Sequence, residues 1–176
     1  RDYYASRGLG DVYKRQDMKS GLSYSKNEFN QVLGILDESI GRVEEAIKFT
    51  LKTVVGGKAV AHAKSYGNFT DRTGNLRSSI GYVLAKDGDI IDVGGFESIS
   101  GPEGNNGEGI SEGKKYAEEL GKSSGSGYTL IIVAGMNYAE YVEAKGYNVL
   151  TETELYLVSQ INDVIDRILK QAGFKK

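Results

Sequence analysis

The sequence predicts an α+β protein, with a long N-terminal helix and a C-terminal helix packed on a small, mainly antiparallel sheet. Apolar residues recur at helical spacing near both ends of the chain, and alternating apolar residues flank an Asp-Gly turn between them. The segments do not alternate regularly between strand and helix, as βαβ units around a parallel sheet would. An antiparallel sheet is therefore expected.

Composition narrows the classes of function. The chain has 176 residues, of which 39% are hydrophobic and 26% charged, enough for a packed core. It has no cysteine, which excludes disulfides, thiolate catalysis and cysteine zinc sites. A net charge of −2 does not favour binding to duplex DNA, which needs clustered Lys and Arg. With no apolar run long enough for a membrane span and no signal peptide, we expect a soluble protein.

The first 16 residues have no sustained helical or strand period. The run from Ser6 to Gln16, Ser-Arg-Gly-Leu-Gly-Asp-Val-Tyr-Lys-Arg-Gln, resembles a translated sequencing-adaptor artefact. We interpret residues 1–16 as a non-native segment, the alternative being a native basic arm. Residues 17–176 are then expected to form a single α+β domain.

The longest helical pattern predicts a helix from about Asn27 to Tyr66. Ser25 and Glu28 have the spacing of a capping box at its start. The pair Gly56-Gly57 is expected to weaken or bend it, since glycine costs about 1 kcal/mol against alanine in a helix interior. The apolar stripe is expected to face the domain itself, the alternative being a coiled coil. Its members are Phe29, Leu33, Leu36, Ile40, Val43, Ile47, Leu51 and Val54.

A turn and a hairpin come next. A short helical turn is expected to start near Thr73, because cap-forming and turn-forming residues surround it. Residues 80–85 alternate as a strand, residues 86–89 contain the Asp-Gly turn, and residues 90–96 form the returning strand. Together these residues predict a β-hairpin.

The stretch 97–127 is rich in Gly, Ser, Asn and Glu. It predicts a projecting insertion with one short helix at Ser111 to Leu120, since a long loop in a compact domain usually has a function. Tyr128 to Ala134 follows as an apolar strand.

The last third predicts two helices separated by a strand. Asn137 is expected to cap a short helix that Gly146 ends, and Tyr147 to Leu150 to form a strand. Thr151 and Glu154 have capping-box spacing before the final helix, which is expected to end near Ala172. The residues expected to face inward are Leu155, Val158, Ile161, Ile165, Ile168 and Ala172.

Residues that could carry chemistry are sparse. The single histidine, His62, has no neighbouring acid or nucleophile in the sequence and is interpreted as a helix-face residue. Gly56-Gly57-Lys58 lacks the rest of a phosphate-binding loop, and the acidic pairs lack the spacing of a calcium loop. We therefore expect no catalytic residues, no cofactor and no metal, an enzyme with an atypical site remaining an alternative.

Two segments carry recognisable patterns. The first is Thr73-Gly74-Asn75-Leu76-Arg77-Ser78-Ser79-Ile80, and the second is Ala134-Gly135-Met136-Asn137-Tyr138-Ala139-Glu140-Tyr141-Val142-Glu143. They resemble the Thr-Gly-x-Leu-Arg-x-Ser-Ile turn and the Tyr-Ala-x-Tyr-Val-Glu helix of the head–tail connector or tail-completion (neck) proteins of long-tailed bacteriophages and prophages. The order of elements is also similar to that family.

The resemblance implies a structural protein that joins head and tail as a ring-forming subunit. Its partners would be copies of itself, the neighbouring connector and tail-tube proteins, and phage DNA that passes through without specific binding. No membrane is implied; the location would be the bacterial host cytoplasm during assembly and then the virion neck. The candidate interface or motif residues are Thr73, Gly74, Leu76, Arg77, Tyr138, Tyr141 and Glu143.

Each candidate has a suggested role and an alternative. Gly74 permits a tight turn, and Leu76 anchors it to the core. Arg77 is expected to face an acidic group such as Glu143, in the same or an adjacent subunit. Tyr138 and Tyr141 offer large contact areas at helical spacing. The alternative for all of them is packing within the chain. The alternative function is a monomeric bacterial binding module that presents the 97–127 loop to a protein partner.

Overall fold

The structure, a computed structural model, describes residues 26–104 and 106–174. The interpretation of residues 1–16 and the expected cap at Ser25 lie outside these residues. The described residues fall into two units, 26–38 and 39–174. The α+β prediction is confirmed, because helices at both ends accompany a three-stranded antiparallel sheet.

The described chain begins with a continuous helical run. Helix α1 spans Lys26–Phe49, a π-helical segment spans Thr50–Gly56, and helix α2 spans Gly57–Tyr66. The predicted end points are confirmed to within one residue. Near the Gly56-Gly57 pair, where a weakened or bent helix was expected, the chain forms a wider π-helical stretch that ends at Gly56. A Cβ added at Gly56 would lie 3.1 Å from the ring of Tyr82.

The apolar stripe of the first helix is only partly buried. Its second half is partly buried, as predicted: Val43, Ile47, Leu51 and Val54. Its first half is exposed, contrary to the prediction: Phe29, Leu33, Leu36 and Ile40. Periodicity identifies an apolar face but does not say which surface covers it.

The sheet is built around one buried strand. Helix α3, Asn75–Ser78, leads into β1, Ile80–Lys86, which pairs antiparallel with β2, Asp89–Gly94. Asp87 and Gly88 form the two-residue turn, with φ of 55° and 85°. The predicted hairpin is therefore confirmed.

The segment predicted to project covers the sheet instead. Helix α4, Glu108–Lys122, buries its small residues Gly109, Gly113, Ala117 and Gly121. An added Cβ at Gly113 would lie 2.7 Å from the carbonyl oxygen of Ser79, so only small side chains permit this close approach. The prediction of a projecting insertion at 97–127 is wrong, because glycine richness here serves helix–sheet packing.

The third strand completes the sheet in the order β2-β1-β3. Strand β3, Tyr128–Ala134, has the predicted bounds and pairs antiparallel with β1. Helix α5, Ala139–Ala144, follows it and is capped by Tyr138 without a side-chain hydrogen bond, so the Asn137 cap is wrong. Gly146 has the predicted left-handed backbone, with φ of 86°.

The strand predicted at Tyr147 to Leu150 is absent; these residues form an irregular connection. Val149 is 1% exposed and fills the core without sheet pairing. The Asn148 backbone N–H donates to Asn68 Oδ1 at 2.6 Å, and its side-chain amide donates to the Tyr66 carbonyl at 3.1 Å. Side-chain hydrogen bonds therefore replace a strand ladder here.

The final helix, α6, spans Thr151–Gln171 and has apolar residues on two sides. Most of the side predicted to face inward is exposed, so that prediction is wrong: Leu155, Val158, Ile161 and Ile165. Thr153 and Tyr156 face inward instead, and the Tyr156 ring stacks on His62 at 4.5 Å. Ala172 is buried as predicted. Because α6 has apolar residues at helical spacing on two faces, the sequence alone could not show which face is buried.

Two apolar clusters hold residues 39–174 together. One lies among α2, α3, β1 and the α5 region, and includes Val60, Phe69, Leu76, Ile80, Tyr82, Met136 and Val149. The other joins α4 to the sheet through Val83, Ala117 and Val133. Among the described residues, no helix combines the length and hydropathy that crossing a membrane requires.

Candidate functional site

The first motif forms a turn that the loop before α4 holds in place. Gly74 has φ of 75° and begins α3; an added Cβ would collide with the Ile99 carbonyl oxygen. The Ser78 hydroxyl donates to the Gly74 carbonyl at 2.7 Å and accepts from the Ile99 N–H at 2.8 Å. The predicted role of Gly74 in a tight turn is confirmed.

The same turn contacts the core and α4. Leu76 is 2% exposed and lies in the larger apolar cluster, as predicted. Asn75 is also buried; its side-chain amide donates to Asn106 Oδ1 at 3.0 Å, and its oxygen accepts from Gly109 N–H at 3.4 Å. Thr73 accepts a bond from the Asn75 N–H at 3.4 Å. Much of the motif is therefore structural.

Arg77 is used within the chain. Its guanidinium donates to the Gly67 carbonyl at 2.7 Å and lies 4.7 Å from the centre of the Phe69 ring. Its backbone N–H donates to Asp71 Oδ2 at 2.7 Å. The expected partner, Glu143, is bonded elsewhere, so the suggested Arg77–Glu143 pair does not form within the chain.

Glu143 caps helix α6. Its carboxylate accepts from the backbone N–H groups of Leu150 and Thr151, both at 3.0 Å, and from the Thr151 hydroxyl at 2.5 Å. The Thr151–Glu154 capping box is therefore wrong, because Leu150 is the N-cap residue and a distant carboxylate supplies the acceptor. Burial alone would raise the pKa of Glu143, but these hydrogen bonds outweigh it and lower the pKa.

Glu143→Gln is expected to lower the free energy of unfolding at pH 7 by about 0.5–2 kcal/mol, the usual contribution of a cap. A lowered folded-state pKa means that the carboxylate stabilises the protein fully above its unfolded pKa of about 4.3. This contribution is lost as the pH falls through the lower, folded-state pKa. Urea unfolding at several pH values measures the difference, with Glu140→Gln on the exposed side of α5 as the control. A difference that stays constant with pH would contradict the assignment.

The two motifs meet at one surface. We call it the motif surface and define it by the residues around one depression, Asp71, Arg72, Thr73, Glu103, Tyr138 and Val142, together with the exposed Tyr141, which precedes Val142 in the chain. An open depression of about 300 Å³ is lined by residues of both motifs, including Thr73, Leu76, Tyr138 and Val142. Tyr138 is 37% exposed, and Tyr141, on the next turn of the chain, is 64% exposed. The turn and α5 therefore present aromatic side chains on a rigid base.

Charged groups border the motif surface. Arg72 and Glu103 form an exposed ion pair at 2.6 Å, and the Glu103 N–H donates to the Arg72 carbonyl at 2.8 Å. Burial raises the pKa of the Tyr138 hydroxyl, and the nearby charges of Asp71 and Glu108 raise it further. Tyr138 therefore stays protonated and able to donate a hydrogen bond at neutral pH.

His62, the one histidine in the sequence, lies between two rings. Tyr66 stacks on one face at 4.3 Å and Tyr156 on the other at 4.5 Å, while its Nδ1 is 3.0 Å from Thr153 Oγ1. These contacts join α2 to α6. Across residues 26–104 and 106–174, no group of three or more His, Asp or Glu side chains has the arrangement to hold a metal ion.

The structure brings Thr73 and Tyr138 together around one depression and leaves Tyr141 exposed outside its lining. It assigns Gly74, Leu76, Arg77 and Glu143 to contacts within the chain. Sequence reasoning missed Asp71, Arg72 and Glu103. The Asp71-Arg72 step adjoins the first motif, whereas nothing in the sequence marked Glu103, 31 positions away from Arg72. No protein-family model, curated protein or solved structure matches this chain significantly.

Proposed function

We propose that this protein is a non-catalytic subunit that completes the tail and joins it to the head of a long-tailed bacteriophage. It forms a ring in the virion neck after synthesis in the host cytoplasm. Its neighbours are copies of itself, the head connector and the tail tube. The proposal rests on the resemblance of residues 73–80 and 134–143 to neck proteins.

The observation that carries the proposal is the convergence of these two segments. Tyr138 and Thr73 are far apart in sequence, yet they line the same depression. Residues that share a function at an interface must be close in space, whereas two chance resemblances need not be. The convergence supports reading the two segments as one unit.

The exposed part of the motif surface suits protein contact. Tyr138 and Tyr141 each offer a large aromatic area with few rotatable bonds, and tyrosine is enriched among residues that dominate binding energy. Arg72 and Glu103 at the rim form an ion pair with each other and could instead pair with charged groups of a neighbouring subunit. This exchange would cost little free energy, because exposed ion pairs contribute little to stability. Contact through shape and multivalency needs no reactive group.

The weak net charge of −2 is compatible with a DNA conduit. A slightly negative ring does not attract the passing genome, so DNA would move through without specific binding. The alternative, a binding module that presents residues 97–127, has less support, since α4 lies on the sheet and buries its small residues.

Disruption of the gene in the phage or prophage that encodes it tests the proposal. We expect DNA-filled heads and separate tails by electron microscopy, with joined particles restored when the protein is supplied from a plasmid. Supplying an unrelated soluble protein from the same plasmid is the control. Normal yields of joined, infectious particles after disruption would contradict the proposal.

A further inference from the structure

Strand β3 is an edge of the sheet, and part of its backbone faces away from the sheet. Among the described residues, β3 pairs only with β1, in one unbroken register. The Gly135 N–H, just beyond β3, donates to the Ser79 carbonyl at 3.1 Å. Because hydrogen-bonded residues alternate along an antiparallel strand, the odd-numbered residues of β3 bond to β1. The N–H and C=O groups of Leu130 and Ile132 therefore point away from β1 and can pair with a fourth strand.

The other edge of the sheet is protected against such pairing, and β3 is not. Strand β2 carries Asp89 and Asp92, and its register with β1 shifts between Leu84 and Ala85. Charged residues and irregular pairing are common means by which proteins prevent a further strand from adding to an edge. Strand β3, Tyr-Thr-Leu-Ile-Ile-Val-Ala, has no charged residue, glycine or proline. Its edge therefore remains available to an extended chain.

An apolar groove adjoins the free edge of β3. A depression of about 430 Å³ is lined by Leu130, Ile131 and Ile132 on the β3 side and by Leu157 and Val158 on the α6 side. Leu130 and Ile132 pack toward the larger apolar cluster, whereas Ile131 packs toward the cluster beneath α4, on the opposite face of the sheet. A single depression lined by residues of both faces includes the edge of the strand itself. A strand that pairs with β3, about 4.8 Å away, therefore enters this groove.

The groove specifies the chemistry of the segment that enters it. Side chains alternate between the two faces of a strand, so every second residue of the new strand contacts Leu157 and Val158 and should be aliphatic. The two charged residues among the described lining, Glu143 and Glu154, are acidic. Glu143 caps α6, but Glu154 is exposed and forms no ion pair within the described part of the chain. A Lys or Arg on the same face of the new strand is complementary to Glu154.

We propose that β3 binds an extended segment of a partner protein as a fourth strand of the sheet. The segment has aliphatic side chains at alternate positions and a basic side chain that reaches Glu154. Main-chain hydrogen bonds to Leu130 and Ile132 supply affinity, and the alternate side chains in the groove supply specificity. This binding uses no residue of the motif surface. The inference goes beyond the proposed function and stands if that function fails.

The synthetic peptide acetyl-Lys-Thr-Val-Thr-Val-Thr-Lys-amide serves as the probe, because its valines and lysines share one face in either orientation. With the peptide at about ten times its Kd, hydrogen exchange of the Leu130 and Ile132 amides is expected to slow about tenfold. The amides of β2 should exchange as before. A peptide with Glu in place of both lysines is the control and should bind more weakly. Unchanged exchange at Leu130 and Ile132, or equal binding of the two peptides, overturns the proposal.

Glu154→Lys reverses the charge beside the groove and is expected to reverse the preference, so that the glutamate peptide binds more tightly than the lysine peptide. Glu118→Lys, on the exposed side of α4, controls for the change in net charge, and circular dichroism verifies that both variants fold. A preference that Glu154→Lys leaves unchanged overturns the proposal. Dimers in light scattering, together with slow exchange at Leu130 and Ile132 without peptide, would assign the edge to a second copy and overturn it as well.

Discussion

Gly74→Ala is expected to lower the free energy of unfolding by about 2–5 kcal/mol. A left-handed backbone costs a residue with a Cβ about 1–2 kcal/mol, and overpacking a buried site typically adds 1–3 kcal/mol. Both apply at Gly74, because φ is 75° and the new Cβ would overlap the Ile99 carbonyl oxygen. Chemical denaturation of the purified variant measures the change.

The matched control for Gly74→Ala is Gly41→Ala in helix α1. Nothing lies within 4 Å of an added Cβ at Gly41. Alanine in an exposed helix interior is more stable than glycine by roughly 0.5–1 kcal/mol, so the same substitution should stabilise the protein there. Equal effects at the two positions would show that the turn does not have the described geometry.

The double variant Tyr138→Ala, Tyr141→Ala is expected to lower the yield of joined particles at least tenfold when it replaces the wild-type protein during infection. Tenfold corresponds to about 1.4 kcal/mol, less than the loss usually seen when one dominant interface residue is truncated. Tyr141 is 64% exposed, so its loss should change the free energy of unfolding little, whereas Tyr138 is 37% exposed and its truncation should lower it. The double variant must therefore be shown to stay folded at the temperature of infection. Particle counts and thermal unfolding measure the two effects separately.

Tyr147→Ala controls for the loss of an exposed tyrosine outside the motif surface. Tyr147 is 48% exposed and follows the end of α5. Its replacement is expected to leave the particle yield near that of the wild type. If the double variant folds normally and still completes infectious particles, Tyr138 and Tyr141 are not interface residues.

Local chemistry made much of the fold predictable. Asp87 and Gly88 both have positive φ, which suits a two-residue hairpin turn, and apolar residues alternate on both sides of them. The turn and the alternation together predicted both strands. Strand β3 was predictable because a short apolar run between glycine-rich stretches has few alternatives. Helix α1 could be located because its period persists for many turns.

Predictions failed where tertiary contacts decide. Thr151 is a residue type that commonly caps helices. In the structure, however, the carboxylate of Glu143 accepts hydrogen bonds from the first N–H groups of α6. Val149 belongs to an apolar run that reads as a strand, yet it fills a core position beside an irregular backbone. Glycine-rich sequence usually indicates a loop, and the glycines of α4 were interpreted in that way. Their role is to let α4 pack closely on β1, and β1 is distant from α4 in the sequence.

The candidate site was predictable in part for the same reason. Tyr138, Tyr141 and Thr73 could be chosen from the two motifs alone. The pairing of Arg72 with Glu103 depends on the path of the loop before α4, which no local pattern specifies. Within the chain, Arg77 contacts the ring of Phe69 and the carbonyl of Gly67 and not Glu143, which no local pattern in the sequence specifies.

If the motif surface is a contact between virion proteins, a cysteine in place of Tyr141 should become inaccessible when the particle assembles. The chain has no other thiol, so maleimide labelling reports this position alone. We predict rapid labelling of the free variant and strong protection once it is part of intact particles, with Glu118→Cys on the exposed side of α4 as the reference. Equal labelling of Tyr141→Cys in the free protein and in the particle would show that the motif surface is not a contact between virion proteins.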